Sequence, residues 1–240
     1  MHARRELRSP LASVKAYSES LELVAESAKA TRGRFLGVIN EECDRMANLL
    51  GDVNDLSRIE GGECTLRLST LTLADLGRGV ADKLGDAART RGVTLQLEAD
   101  DARIEVDADL MRRGIENLVS NAIEFSPQGG VVKVALSGHH DEWTCVIQDD
   151  GPPLPDEDLA SVFEHFHRAR RDAPPGSQAA TRGPGATRLG LAIARGIVEL
   201  HAGRLWVEQQ PAIADGPVPG PRFCFTAPAR QTASARARRV

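Results

Sequence analysis

At 240 residues, with 41% apolar and 27% charged side chains, the chain has enough hydrophobic material for two modest domains and does not read as a disordered polymer. A formal net charge of -4 argues against general attraction to nucleic acid, and Cys43, Cys64, Cys145 and Cys224 lie too far apart for a C-x-x-C pair or a disulfide framework. No apolar run reaches the roughly 18 residues that span a bilayer, and no signal-peptide stretch follows Met1, so a cytoplasmic location is expected, alone or as the cytosolic part of a membrane-bound receptor.

Residues 3–60 predict two long helices. In the first, Leu7, Leu11, Val14, Ser18, Leu21 and Val24 recur at steps of three or four; in the second, Phe35, Ile39, Glu42, Met46, Leu49, Val53 and Leu56 do the same. Glu42 breaks the second seam, and its neighbour Cys43 is expected to take its place. Residues 28–33, with Thr31 and Gly33, predict the reversal, which makes an antiparallel hairpin. One pairing cannot bury both apolar stripes. Two hairpins docked as a four-helix bundle can, so a homodimer is expected; packing of one hairpin on its own second domain is the alternative. Gly61 and Gly62 predict the stop of the second helix.

From about Thr70 the pattern becomes mixed. Residues 73–90 predict a helix, 93–97 a strand, and 108–125 a helix. Residues 131–137 and 143–148 predict two strands joined by a polar turn through Gly138 and Asp141. Pro152, Pro153 and Pro155 mark a loop, and residues 169–187 are so rich in Pro, Gly, Ala, Ser and Arg that a mobile segment is expected. Helix returns at 189–200, followed by a strand pair at 204–208 and 222–226. The fold class is α+β, with helices on one face of a largely antiparallel sheet. Residues 230–240 carry four arginines and no acidic residue and predict a disordered basic tail.

Three features can build a nucleotide pocket. Asn117 and Asn121, four apart, share a helical face and offer amide oxygens to Mg²⁺ and N–H donors to phosphate; surface or capping asparagines fit the same spacing. Asp149-Asp150-Gly151 ends an apolar strand, where a carboxylate can accept from an exocyclic amine and Gly151 allows close backbone approach; a simple turn fits too. The Gly/Pro-rich stretch running into Gly190 and Leu191 brings free N–H groups of a helix N-terminus toward phosphate, or is an ordinary loop.

In this order the motifs resemble the transmitter region of bacterial sensor histidine kinases, from about Arg4 to Pro228. Residues 6–11 resemble the end of the phosphoacceptor box and residues 56–61 the end of the second dimerisation helix. Residues 117–127 resemble the asparagine box, 149–155 the first glycine box, 162–168 the phenylalanine box and 189–193 the second glycine box. The resemblance implies a helical hairpin over residues 1–66 and an α/β-sandwich Bergerat (GHKL-type) ATP-binding domain over 67–229. It implies ATP and Mg²⁺ as cofactors and a response regulator receiver domain as partner; charge and the lack of a long apolar run add the expectation of no direct nucleic-acid contact and no membrane segment in this chain. By position, Asp149 would read adenine, Asn117 and Asn121 would hold Mg²⁺ and phosphates, and Arg168 would reach the γ-phosphate. Glu6 would activate the acceptor, and Ser9 would stand where the family dephosphorylates its partner.

The same resemblance exposes departures. Arg5 occupies the acceptor position, and a guanidinium has no free lone pair at neutral pH, so self-phosphorylation there should fail. His2, one turn earlier, is the nearest substitute; His139, His140, His165, His167 and His201 are expected at the surface or in packing. Glu124 replaces a lysine near the phosphates, Pro153 a glycine of the first glycine box, and Ala186 and Arg188 glycines of the second. Three activities follow as expectations: a Mg-ATP-binding histidine kinase, an impaired pseudokinase scaffold docking a response regulator or partner kinase, and a phosphatase-only transmitter.

Overall fold

The computed structural model describes residues 3–24, 28–159, 161–164, 189–209 and 220–230, with residues 3–6 through their backbone alone. The expected loop 169–187, Arg168, Ala186, Arg188, His2, His165, His167 and all but Arg230 of the basic tail lie outside the described residues. The chain divides into two compact units, Met1–Asp55 and Leu56–Val240.

The first unit is helical. Helix α1 spans Ala3–Leu23 and α2 begins at Lys29, running to Glu60. Tyr17 and Phe35 meet edge-on with ring centroids 5.3 Å apart, each six residues from the helix end nearest the reversal, so α1 and α2 pair antiparallel. Arg32 Nη1 donates to the Leu21 and Val24 carbonyls at 3.1 and 3.2 Å, satisfying acceptors that the end of α1 leaves open. Helix α2 has already begun at Lys29, so Thr31 and Gly33 are helical and do not form the reversal. Their turn propensity is weak against the neighbouring helical residues and the Arg32 cap. The seam also differs from expectation at one position. Cys43 is exposed, whereas the Glu42 side chain is only 15% exposed and is paired with Arg45 at 3.3 Å. A charge here is tolerated because its partner sits one turn away on the same helix. Among the described residues of this unit, Leu49 is the one large aliphatic side chain that is buried, while Leu11, Leu23, Leu36 and Leu50 are exposed.

Helix α2 stops at the two glycines as expected. Gly62 adopts φ +69°, the Glu63 N–H reaches the Arg58 carbonyl at 3.1 Å, and the Gly62 N–H reaches Ile59 at 3.3 Å, a Schellman closure.

In the second unit a five-stranded sheet runs in the order β2-β4-β5-β7-β6, formed by β2 (Thr94–Ala99), β4 (Val131–His139), β5 (Glu142–Gln148), β6 (Arg204–Glu208) and β7 (Arg222–Pro228). Only β2 and β4 pair parallel; the rest is antiparallel. Every second residue of the central strands is buried: Val132, Val134 and Leu136 on β4, Trp143, Cys145 and Ile147 on β5, Phe223 and Phe225 on β7. Against this face lie α3 (Leu73–Thr90), α4 (Ala108–Phe125) and α6 (Gly190–Leu200). Gly77 of α3 lets that helix sit close on the sheet, since a Cβ there would come within 2.9 Å of Leu97 and Leu136. Burial of Met111, Ile115, Leu118 and Val119, at about 1.5–3 kcal/mol each, offsets part of the cost of ordering α4 and holds that face of the helix against the sheet.

Gly138 continues β4 rather than turning. Its N–H is held by Asp100 Oδ2 at 2.7 Å, and the reversal falls on His140, at φ 51°. Two short strands not expected from the sequence, β1 (Ser69–Thr72) and β3 (Arg103–Val106), pair antiparallel and lead directly into α3 and α4. A one-turn helix, α5, covers Asp156–Leu159.

Candidate functional site

Helix α4 is the element on which the candidate residues converge. Its start is fixed by Asp107, whose Oδ1 accepts from the Leu110 N–H at 3.2 Å and whose Oδ2 accepts from the Arg67 N–H at 2.7 Å. With the start fixed, the helical rise carries Asn117 and Asn121 to one face, both half-buried. The Nδ2 of Asn117 is buried and has no hydrogen-bond partner among the described residues. A buried donor left unpaired is costly, so this atom marks a place where a ligand acceptor fits.

Next to Asn117 stands the N-terminus of α6. A Cβ on Gly190 would lie 3.6 Å from Asn117 Oδ1, ordinary contact distance. Among the described residues no side chain caps α6, and its first intrahelical bond is Ile193 N–H to the Leu189 carbonyl at 2.8 Å. The N–H groups of Gly190 and Leu191 thus precede the ladder, beside the asparagine, with the partial positive charge of the helix end behind them.

At the other end of α4 is the strand-end carboxylate. Asp149 is fully buried, and its Oδ1 accepts from the Gly151 N–H at 2.8 Å. Glycine is required at two positions around it. A Cβ on Gly151 would come within 2.6 Å of both Asp149 Oδ1 and the Phe125 carbonyl, and one on Gly220 within 2.3 Å of the Asp149 carbonyl. Asp150 acts elsewhere. Its Oδ2 accepts from the Val131 N–H at 2.8 Å, pinning the start of β4 to the end of β5. Arg91 Nη2 donates to the Glu124 carbonyl at 2.5 Å, placing a cation at the C-terminal end of α4, where the helix dipole favours it. Pro153 is exposed in the loop that follows.

The structure thus brings Asn117 together with Gly190, and Asp149 with Gly151, along one helix. Arg5 and Glu6 lie on α1 through their backbone, Ser9 is exposed on the same helix, and Arg168 is outside the described residues. Gly220 and Arg91 were not singled out by the sequence. Gly220 is 71 positions from Asp149, and its only local sign is a Gly-Pro step before an alternating strand. Among the described residues no His, Cys, Asp and Glu cluster could hold a metal ion, and no helix is long and apolar enough to cross a membrane. Asparagine amide oxygens, hard neutral donors, do suit Mg²⁺ when phosphates complete the shell.

Residues 106–231 match the family described as histidine kinase-, DNA gyrase B-, and HSP90-like ATPase, and residues 2–62 match the His Kinase A (phospho-acceptor) domain. The chain is 30% identical to the sensor histidine kinase WalK of Bacillus subtilis over 207 residues, 85% of this chain and 33% of that protein. It is 34% identical to the sensor protein SphS of Synechococcus elongatus over 209 residues, 86% of this chain and 49% of that protein. The chain therefore spans a third to a half of the length of these curated relatives. A solved structure of the histidine kinase ThkA in complex with the response regulator protein TrrA shares the fold, with a TM-score of 0.69 at 21% identity, covering 95% of this chain and 60% of that one. With a phospho-acceptor-type helical region followed by an ATPase-type α/β unit, the chain belongs to the sensor histidine kinases and carries their transmitter region.

Proposed function

We propose that this transmitter binds Mg-ATP in the cleft along α4 and signals to a response regulator receiver domain, without phosphorylating itself at the family's usual position. The observation that carries the nucleotide half is the buried Asp149, oriented by the Gly151 N–H and walled by Gly220, on the same helix-centred cleft as the unpaired Asn117 amide. Asp149 accepts the exocyclic amine of adenine. Asn117 and Asn121 hold Mg²⁺ and phosphate oxygens, and the first N–H groups of α6 at Gly190 and Leu191 cradle the phosphates. Arg168 is assigned to the γ-phosphate by its place in the family pattern. ATP would supply the phosphoryl group; the chain's residues bind, orient and screen its charge. Arg91 at the end of α4 offsets part of the negative charge that Glu124 brings.

The hairpin, residues 1–66 in our reading, dimerises through the stripe that leaves Leu11, Leu36 and Leu50 exposed in the single chain. Arg5 has no lone pair to attack phosphorus, so this chain is a nucleotide-binding scaffold unless a histidine is supplied elsewhere. The exposed Ser9, one turn beyond Arg5 on α1, favours a second reading in which the hairpin promotes dephosphorylation of the receiver.

Titrating ATP with and without Mg²⁺ tests the first claim; absence of binding in both removes it. Incubation with labelled ATP should leave the wild type unlabelled and give an acid-labile phosphoprotein in the Arg5→His variant. A faster decay of a phosphorylated receiver in the presence of the chain, lost in Ser9→Ala, would support the second reading.

A further inference from the structure

Where α6 ends, His201 is fully buried and joins two helices. Its Nδ1 lies 2.8 Å from the Ile197 carbonyl, and the Asp107 N–H donates to its Nε2 at 3.0 Å. A carbonyl can only accept and a backbone N–H can only donate, so the two bonds together require the neutral ring with its proton on Nδ1. The residue that donates to this ring is the same Asp107 whose carboxylate starts α4.

From this tie the helices run alongside each other toward the cleft. Gly114 of α4 faces Ile197 of α6, where a Cβ would approach to 3.3 Å, and further along Asn117 faces Gly190. Asn117 is ten residues from Asp107, a lever of about 15 Å at the helical rise. We propose that His201 is a positioning residue for the nucleotide cleft: by tying the far ends of α4 and α6, it sets how Asn117 stands against the N-terminus of α6. This rests on the nucleotide reading of the cleft, although the tie itself can be tested without ligand.

The tie depends on proton count. A second proton, on Nε2, would point at the Asp107 N–H, donor against donor. Burial holds the ring below the ordinary histidine value of 6.5, against the opposing pull of the Ile197 carbonyl and the Asp107 carboxylate. Of the charged groups on the elements that meet here, Asp107 acts directly on the ring. Glu199 on α6 is exposed and bound to Arg195, and the side chains of Arg67 and Arg204 are exposed. Above the ordinary value both folded and unfolded chains are neutral at this residue. As pH falls through it the unfolded chain takes the proton first, which costs folding stability, and the tie itself breaks only at lower pH, when the folded ring titrates.

The experiment uses the full chain, with ATP affinity measured from pH 8 down to pH 5.5 in wild type, His201→Gln and His201→Ala, and ring and amide nitrogen NMR alongside. A glutamine can accept from Asp107 and donate to Ile197 without titrating. At pH 8 the Gln variant should bind nearly as wild type and the Ala variant roughly tenfold more weakly, the loss of two buried hydrogen bonds. Once the ring takes its second proton, below the ordinary histidine value, the wild type should lose affinity relative to Gln, a ratio from which the titration of ATP itself cancels. The wild-type ring should show its proton on Nδ1, and the Asn117 and Gly190 amide signals should follow its titration. The proposal is overturned if wild type and Gln share one pH profile, if the proton is on Nε2, or if those two amides stay still while His201 titrates. Should wild type bind no ATP at pH 8 while the amides still follow the ring, the nucleotide reading fails and the tie remains. A folding failure of the Ala variant leaves the wild type and Gln comparison to decide.

Discussion

The two units solve the burial problem in different ways. The second unit has a closed core of its own, with Trp143, Phe223, Phe225, Met111 and Ile115 all fully buried between one sheet face and three helices. The hairpin keeps four leucines exposed, Leu23 at 89% and Leu11 at 59%. A region that completes its core internally should have a stability independent of concentration. A region that leaves its stripe open gains stability when that stripe is covered by another copy.

The sharpest blow to the second unit should come from Trp143→Ala. Trp143 is fully buried and packs edge-on against Phe225 at 5.1 Å, so the loss should be about 3–5 kcal/mol. Denaturant unfolding should show it equally at every protein concentration; a loss below about 1 kcal/mol would mean that the core is not closed. Thiol labelling compares the units directly. Cys145 is buried and its thiol is raised well above the ordinary value by burial, and burial pushes Cys224 up to about 11. Cys43 on the hairpin is exposed. Under native conditions Cys43 should react with an alkylating reagent roughly 100-fold faster than either, since theirs requires opening of the fold. Equal rates would show the second unit to be the looser one.

For the hairpin, Leu11→Ser and Leu36→Ser should leave a single chain nearly unaffected but weaken self-association by about 1–2 kcal/mol each, readable by sedimentation at several concentrations. Unchanged association would remove those residues from the dimer seam. The smallest effect is expected at Ala202, which holds φ 57° at the end of α6. Ala202→Gly relieves a left-handed conformation at the cost of unfolded-chain entropy, and should stabilise the second unit by roughly 0.5–1 kcal/mol. Thermal unfolding checks the sign, and a loss would mean that the alanine methyl contributes packing.

What the sequence disclosed follows from how local each determinant is. The bounds of α3 and α4 agree with the 3.6-residue spacing because each begins on its own capping side chain, Thr72 accepting from Asp75 and Asp107 from Leu110. The end of α2 was legible for the same reason, two glycines meeting a Schellman geometry. Strands β1 and β3 were not. They are four residues each and exist through a pairing of Ser69 with Val106, a partnership no short window contains. The choice of Glu42 over Cys43 for the seam turned on an ion pair with Arg45, which hydrophobicity alone does not weigh. In the candidate site, Asn117, Asp149, Gly151 and Gly190 could be read from motif order. The wall that Gly220 makes over Asp149 could not, because it arises from two strands pairing across a long stretch of chain.

The parallel register of β2 and β4 has a consequence for how such a chain can change. Two parallel neighbours cannot be joined by a tight turn, so the chain must cross over between them, and here the crossover contains α4. A long connection is thus demanded by the path of the backbone, and the Asp107 cap and buried apolar face of α4 make it the helix that carries Asn117 and Asn121. Side chains that face the cleft can therefore be exchanged one at a time while the crossover between β2 and β4 remains.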